Sequence, residues 1–143
     1  ITARPYPGIP TDVQAQWMAL LSLAGGRSIV RDTVFPWRLQ HTAELNRLGT
    51  DIRLDDLSAT VTGVDHLTGC HVTATDLRSS AALVLAGLAA GGETILHEIH
   101  HLDRGYETLD VKLGELGARV QRTGGPGNHQ SRPDPPALSG RPS

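Results

Sequence analysis

The chain carries one structural unit twice over, and any fold assigned to it has to accommodate both copies. From Thr75 to Gly92 the residues Leu77, Ala81, Val84, Leu85 and Leu88 fall at i, i+4, i+7, i+8 and i+11, the stripe of a 3.6-residue period, and the pair Gly91-Gly92 supplies a stop. Thr11-Asp12-Val13 opens an earlier segment in which Val13, Trp17, Leu20, Leu21 and Ala24 take the same offsets before Gly25-Gly26. Each glycine pair leads into a strand, Arg27 to Asp32 in one copy and Glu93 to Ile99 in the other, and then to an arginine, Arg38 or Arg104. A helix ending in Leu48-Gly49 or Leu116-Gly117 follows, with a strand after each, at Asp51 to Leu54 and Ala118 to Gln121. Asp12 and Asp76 are 64 residues apart, Arg38 and Arg104 66, and Gly49 and Gly117 68, so two small gaps align the copies. The sequence is an internal duplication of a helix-strand-helix-strand unit.

Each copy opens on a Thr-Asp pair, and the second adds a cation. Thr75 or Asp76 can cap the first turn of the central helix, and Arg78 then stands beside free backbone N–H groups at the positive end of the helix dipole. A dipole end, a cation and a carboxylate in one place make an anion-handling site. The Trp17 and Leu20 stripe is expected to be core.

The remaining segments fill in around the two units. Thr33 to Arg38 is a connection, because Pro36 would break a helix there. Thr42 to Leu48 reads as a short helix, Asp51 to Leu54 and Ala59 to Val64 as a hairpin, and His71 to Ala74 as a strand feeding the central helix. His100 to Arg104 is expected as a loop and Gly105 to Leu116 as a helix with Tyr106, Leu109, Leu113 and Leu116 on one face. Alternation of strands with amphipathic helices assigns the chain to the α/β (α+β) class.

With 143 residues there is room for one modest domain, and 38% apolar residues suffice for its core, built from aliphatic side chains because only 3% are aromatic. A net charge of -2 argues against a general nucleic-acid binder. The longest apolar run, Ala81 to Ala90, is half what a membrane span needs. No signal peptide is visible and the single Cys70 fits a reducing compartment, so cytoplasm is the expected location. Residues 1–10 are a Pro-rich approach without an initiator Met, so the chain is expected to begin mid-protein. Residues 123–143, nearly all Gly, Pro, Ser, Arg and Asn, are expected to be a disordered tail.

Three blocks carry a family resemblance. Pro10-Thr11-Asp12-Val13-Gln14-Ala15-Gln16, Ala74-Thr75-Asp76-Leu77-Arg78-Ser79-Ser80-Ala81, and Asp103-Arg104-Gly105-Tyr106-Glu107 with Lys112-Leu113 and Leu116-Gly117-Ala118 resemble the C-terminal part of the UDP-N-acetylglucosamine 1-carboxyvinyltransferases, in the enolpyruvyl transferase family. The resemblance runs from about Tyr6 to Arg122. It implies part of an inside-out α/β barrel, with residues 11–122 forming part of the C-terminal lobe as two repeats, 11–66 and 72–122. The implied reaction moves the enolpyruvyl group of phosphoenolpyruvate to the 3-hydroxyl of UDP-N-acetylglucosamine through a tetrahedral adduct, releasing phosphate, with no metal or organic cofactor. That is the first committed step of peptidoglycan synthesis.

Carried over by position, the resemblance makes Asp12 the group that meets the sugar 3-hydroxyl as general base and Asp76 a participant in proton transfer. It makes Arg78 and Arg104 the holders of phosphoenolpyruvate, Arg104 also acting in catalysis. Arg38 becomes a further arginine near the site, and Val34 part of the segment whose backbone meets the nucleotide sugar. Guanidinium forks suit a trianion better than ammonium groups do. Pro36-Trp37 departs from the Glu-Asn pair usual in the family, and Cys70 is not the family's reactive cysteine. The Lys-Asn pair and cysteine loop of the family's other regions have no counterpart in these residues, so the chain is expected to be a fragment, inactive without an N-terminal lobe.

Simpler roles exist for each of these residues. Asp12 and Asp76 could be plain helix caps, Arg78 and Arg104 surface ion-pair partners, and Cys70 a small packed residue. His97-Glu98-Ile99-His100-His101 fits H-E-x-x-H, a zinc pattern when carried on a helix. Here it lies in a strand, where i and i+4 residues do not converge, so a metal site is not expected. Two other functions compete with the fragment: a noncatalytic anion-binding or docking module derived from the enzyme, and a sister transferase acting on shikimate phosphate, against which the Asp103 to Glu107 block argues.

Overall fold

The computed structural model describes residues 1–124, so the tail expectation for 125–143 lies outside the described residues. Two compact units make up the chain, Ile1–Leu109 and a second from Asp110 onward. In the first, a 3-10 turn at Thr11–Val13 leads into helix α1 (Gln14–Leu21), strand β2 (Arg27–Asp32) and helix α2 (His41–Arg47). Strands β3 (Asp51–Asp55) and β4 (Ser58–Thr62) form the expected hairpin, and β4 pairs antiparallel with β2. The approach segment is not merely a tether: β1 (Thr2–Ala3) adds to the sheet parallel to β2, giving the order β1-β2-β4-β3.

The second copy begins with β5 (His71–Thr73), which pairs parallel with β6 (Ile95–His97) across helix α3 (Leu77–Ala89). Helices α1 and α3, the first helices of the two copies, pack on one another. The glycines that end matched elements share a conformation open to few other residues: Gly26 and Gly92 have φ of +94° and +84°, Gly49 and Gly117 +97° and +94°. The duplication is thus written into the backbone at both of its stop signals.

Three sequence expectations fail here. His100–Asp103 is a helical turn, α4, rather than a loop, since Asp103 N and Leu102 N both close onto Ile99 O. Helix α5 (Leu109–Glu115) starts late, after the Gly105 to Thr108 turn in which Thr108 takes φ +47°. From Asp110 on it lies in the second unit, where Arg122 Nη2 meets Asp110 Oδ1 at 3.3 Å, and residues 118–121 form no strand.

The larger correction concerns the apolar stripes. On α3 the buried face is Ser79, Ala82, Leu83 and Ala86, and on α1 it is Ala15, Met18, Ala19 and the following Ser22. The alanines of these faces sit beside Met18, Leu83, Leu45, Leu48, Val30, Val61, Leu67 and Val72 in the core. Of the stripes read from the sequence, Ala81 is buried and Leu21 packs against the core, but Trp17, Leu20, Leu85 and Leu88 are all exposed, Leu20 at 61%. The error is physical, because a helix with apolar residues on more than one face has two candidate burial surfaces, and hydrophobicity alone favours the one richer in large side chains. A surface carrying this many large apolar side chains is one that ordinarily finds a partner. The isolated chain is therefore expected to self-associate, with sedimentation velocity showing species larger than a monomer at micromolar concentration and Leu20→Lys reducing them. A purely monomeric native chain would contradict this.

Candidate functional site

Packing of α1 on α3 brings together residues that lie 66 positions apart. Arg78 Nε donates to Asp12 Oδ1 at 2.6 Å, joining the 3-10 turn before α1 to the first turn of α3. The side chains are 35% and 65% exposed, so the pair adds little stability; the helix packing holds it in place.

Asp76 caps α3. Its Oδ1 accepts from the backbone N–H of Arg78 at 2.9 Å and of Ser79 at 3.1 Å, and Ser79 Oγ accepts from Asp76 N at 3.0 Å, a reciprocal capping box. Burial pushes the Asp76 carboxyl up, but the bonds from the Ser79 and Arg78 backbone and the Ser79 and Thr75 side chains outweigh it and hold the group below the usual carboxylate range. The N–H groups expected to be free at this helix mouth are consequently taken by Asp76. What remains open to an anion is the Arg78 guanidinium, apart from the Nε that Asp12 occupies.

The Arg104 corner reaches the same end of α3 through the backbone. A Cβ on Gly105 would lie 2.4 Å from Leu77 Cδ2, so the Asp103-Arg104-Gly105 corner sits directly against the Leu77 side chain, which a larger residue here would have to displace. Arg104 itself, the residue after α4, is exposed.

Val34 and Arg38 lie on the loop that leaves β2. Asp32 Oδ1 accepts from Val34 N at 2.9 Å and Phe35 N at 2.8 Å, and Arg38 N closes a turn onto Phe35 O. The Arg38 guanidinium carbon stands 3.5 Å from the Phe35 ring centroid, a cation–π contact, and the Phe35 and Trp37 rings make a T-shaped pair with centroids 5.9 Å apart. Arg38 Nη1 is buried with no hydrogen-bond partner. Pro36-Trp37 therefore leaves an ordered loop in which an aromatic ring, rather than a carboxylate, steadies the arginine.

Two residues of this region were missed by sequence reasoning. Asp32 is 2% exposed and tied to both site segments, and His41, buried at the start of α2, directs Nε2 to Met18 Sδ at 3.2 Å. An Asp at a strand end followed by two loop amides is a recognisable side-chain cap, and was the available signal for the first. Nothing in its neighbours marks His41 as buried. The H-E-x-x-H run is split between β6 and α4: His97 Nε2 lies 2.9 Å from His71 Nδ1, whereas His100 Nδ1 faces Glu98 Oε2 at 3.3 Å. Two open depressions lie elsewhere, one lined by Arg4, Ile9, Pro10, Val13 and Trp17, the other by Arg31, Asp32, Pro36, Asp55 and Leu57. Neither contains Asp12, Asp76, Arg78 or Arg104. The Asp12–Arg78 pair beside the Asp76 cap lies on an open face of the chain.

Comparison with known proteins bears on this arrangement. The family model for EPSP synthase (3-phosphoshikimate 1-carboxyvinyltransferase) matches residues 1–113. The chain is 55% identical over 122 residues to the UDP-N-acetylglucosamine 1-carboxyvinyltransferase of Thermodesulfovibrio yellowstonii, covering 85% of this chain and 29% of the relative. It is 57% identical over 122 residues to that of Trichormus variabilis, with 85% and 27% covered. Among solved structures, the enolpyruvyl transferase NikO from Streptomyces tendae superposes with a TM-score of 0.77 at 37% identity, over 85% of this chain and 28% of that one. EPSP synthase from Acinetobacter baumannii, at 19% identity and a TM-score of 0.51, shares the fold. The chain spans less than a third of the length of these relatives.

Proposed function

The chain belongs to the EPSP synthase family of enolpyruvyl transferases, and on that premise we propose that it is a portion of a UDP-N-acetylglucosamine 1-carboxyvinyltransferase carrying one side of the active site. The observation that carries the reading is the Asp12–Arg78 contact at the Asp76-capped start of α3, made between the two copies of the repeat. The high identity to carboxyvinyltransferases that act on the nucleotide sugar favours it over the shikimate enzyme.

In this reading Asp12 accepts the proton of the sugar 3-hydroxyl as its oxygen attacks the phosphate-bearing carbon of phosphoenolpyruvate, whose methylene carbon gains a proton. The tetrahedral adduct then loses phosphate and a proton from that carbon, leaving the enolpyruvyl ether. Arg78 and Arg104 bind the trianion and offset the charge gathering on the departing phosphate. Arg78 also bridges acid and anion: one edge holds Asp12, and the other stays available. Asp76, kept ionised by its bonds to the helix, orients the first turn and can relay a proton only through the oxygen that the cap leaves open. Arg38, with its unpartnered buried nitrogen, is placed to take a further anionic group, and the Val34 segment meets the nucleotide sugar.

The rest of the site falls to an N-terminal lobe, whose docking would also cover outward stripes such as Trp17 and Leu20. The reaction places the protein in bacterial peptidoglycan synthesis and in the cytoplasm, where nucleotide sugars are made. Among the described residues no helix is long and apolar enough to cross a membrane. Incubated alone with phosphoenolpyruvate and UDP-N-acetylglucosamine, the chain is expected to release no phosphate above the uncatalysed rate. Turnover by the isolated chain would mean that it holds a complete site and is not a portion of one.

A further inference from the structure

Asp32 is a buried carboxylate with neutral donors on both oxygens, and those donors come from the two segments that carry the candidate site. Oδ2 accepts from Thr11 Oγ1, on the residue immediately before Asp12. Oδ1 accepts from the backbone N–H of Val34 and Phe35, at the root of the loop that ends in Arg38. The 3-10 turn bearing Asp12 has no side-chain cap from Pro10 at its start, so besides its own backbone bonds and the Arg78 contact at Asp12, the Thr11 hydroxyl is what ties it to the sheet. Asp32 itself is well anchored: it closes β2, pairs in register with Ala3 of β1, and is followed by Thr33, which donates through N and Oγ1 to Ala3 O.

We propose that Asp32 is a positioning residue that sets the Asp12 turn and the Val34–Arg38 loop in a fixed relation, so that the base and the nucleotide-facing backbone arrive together. This rests on the carboxyvinyltransferase reading for its purpose, although the mechanical link can be tested without it. A side-chain carboxylate does this better than an amide would, because every one of its three partners is a donor, and charge-assisted bonds from N–H and O–H groups are stronger than neutral ones. A buried carboxylate also enforces the arrangement, since either segment drifting away would strip it of a donor that water cannot replace.

Hydrogen exchange read by mass spectrometry on the whole chain separates the outcomes. Thr11→Val, which keeps the shape and removes the hydroxyl, is expected to speed exchange in peptides covering residues 33–38 by about tenfold, the factor for one lost charge-assisted bond. Exchange in α3 should be unchanged, and Thr11→Ser, which keeps the hydroxyl, should match the native chain. Should Thr11→Val unfold the protein, Thr11→Ala is read the same way. Equal exchange at 33–38 in the Val and native chains, or a Ser variant behaving like Val, overturns the link. Adding UDP-N-acetylglucosamine is expected to slow exchange at residues 11–13 and 33–38 in the native and Ser chains and not in the Val chain. Protection of the Val chain equal to that of the native chain overturns the positioning role. No protection of the native chain counts against the carboxyvinyltransferase reading, while the Ser and Val difference still decides the link.

Discussion

Taking the chain from pH 7.5 to pH 4 is expected to cost it about 3 kcal/mol of folding stability through His41 alone, counting roughly 1.4 kcal/mol for each pKa unit. His41 is 5% exposed, and its burial depresses its pKa from 6.5 to about 4, against the smaller opposing pull of the Asp76 charge. The native state therefore resists the proton that the unfolded chain accepts below 6.5. The stabilisation is complete above that value, shrinks as pH falls from 6.5 to about 4, and levels off beneath it. Asp76 acts in the same sense but lower on the scale: its depressed pKa gives stability that is complete above the ordinary carboxylate value and is lost only in stronger acid. Urea midpoints for the native chain and His41→Gln, measured across this range, should converge as the pH falls. Parallel curves for the two proteins would mean that His41 is not buried neutral.

How much of this could be read beforehand depends on the length over which each signal acts. The central helix, its Asp76 cap and the hairpin at Asp51 to Thr62 are written in spacing and capping chemistry within a few residues, and they fold as expected. The duplication was legible because a repeat compares the sequence with itself. The face each helix buries was not, since that depends on the neighbours it meets: Ala15, Met18 and Ala19 of α1 and Ala82, Leu83 and Ala86 of α3 are buried, leaving Trp17, Leu20, Leu85 and Leu88 exposed. Helix α4 was hidden by the histidine run, whose spacing invites a metal or strand reading while Ile99 O closes a single turn. Of the candidate residues, Asp12 meets Arg78 beside the Asp76 cap, while Arg104 and the Val34–Arg38 loop stand on separate segments. The bond from Thr11 to Asp32 left no trace in local pattern because its ends are 21 residues apart.

The second large effect concerns Asp12. Where the chain works within a complete enzyme, Asp12→Asn is expected to lower kcat by about 100-fold or more, the usual contribution of a positioned general base, with KM for phosphoenolpyruvate changing far less. The asparagine keeps an oxygen for Arg78 Nε, so the ion pair's geometry survives as a hydrogen bond while the proton acceptor is gone. Loss of binding would be the expected signature of Arg78 or Arg104 substitutions instead, since the proposed reading gives those guanidinium groups the anion.

A chimera provides the most direct measurement: this chain replaces the segment it matches in the Thermodesulfovibrio yellowstonii relative, and phosphate release is followed with phosphoenolpyruvate and UDP-N-acetylglucosamine. The expected result is turnover that requires the nucleotide sugar and collapses with Asp12→Asn. A folded chimera without turnover, or one indifferent to Asp12, would show that the groups gathered at the mouth of α3 are not the working half of a carboxyvinyltransferase.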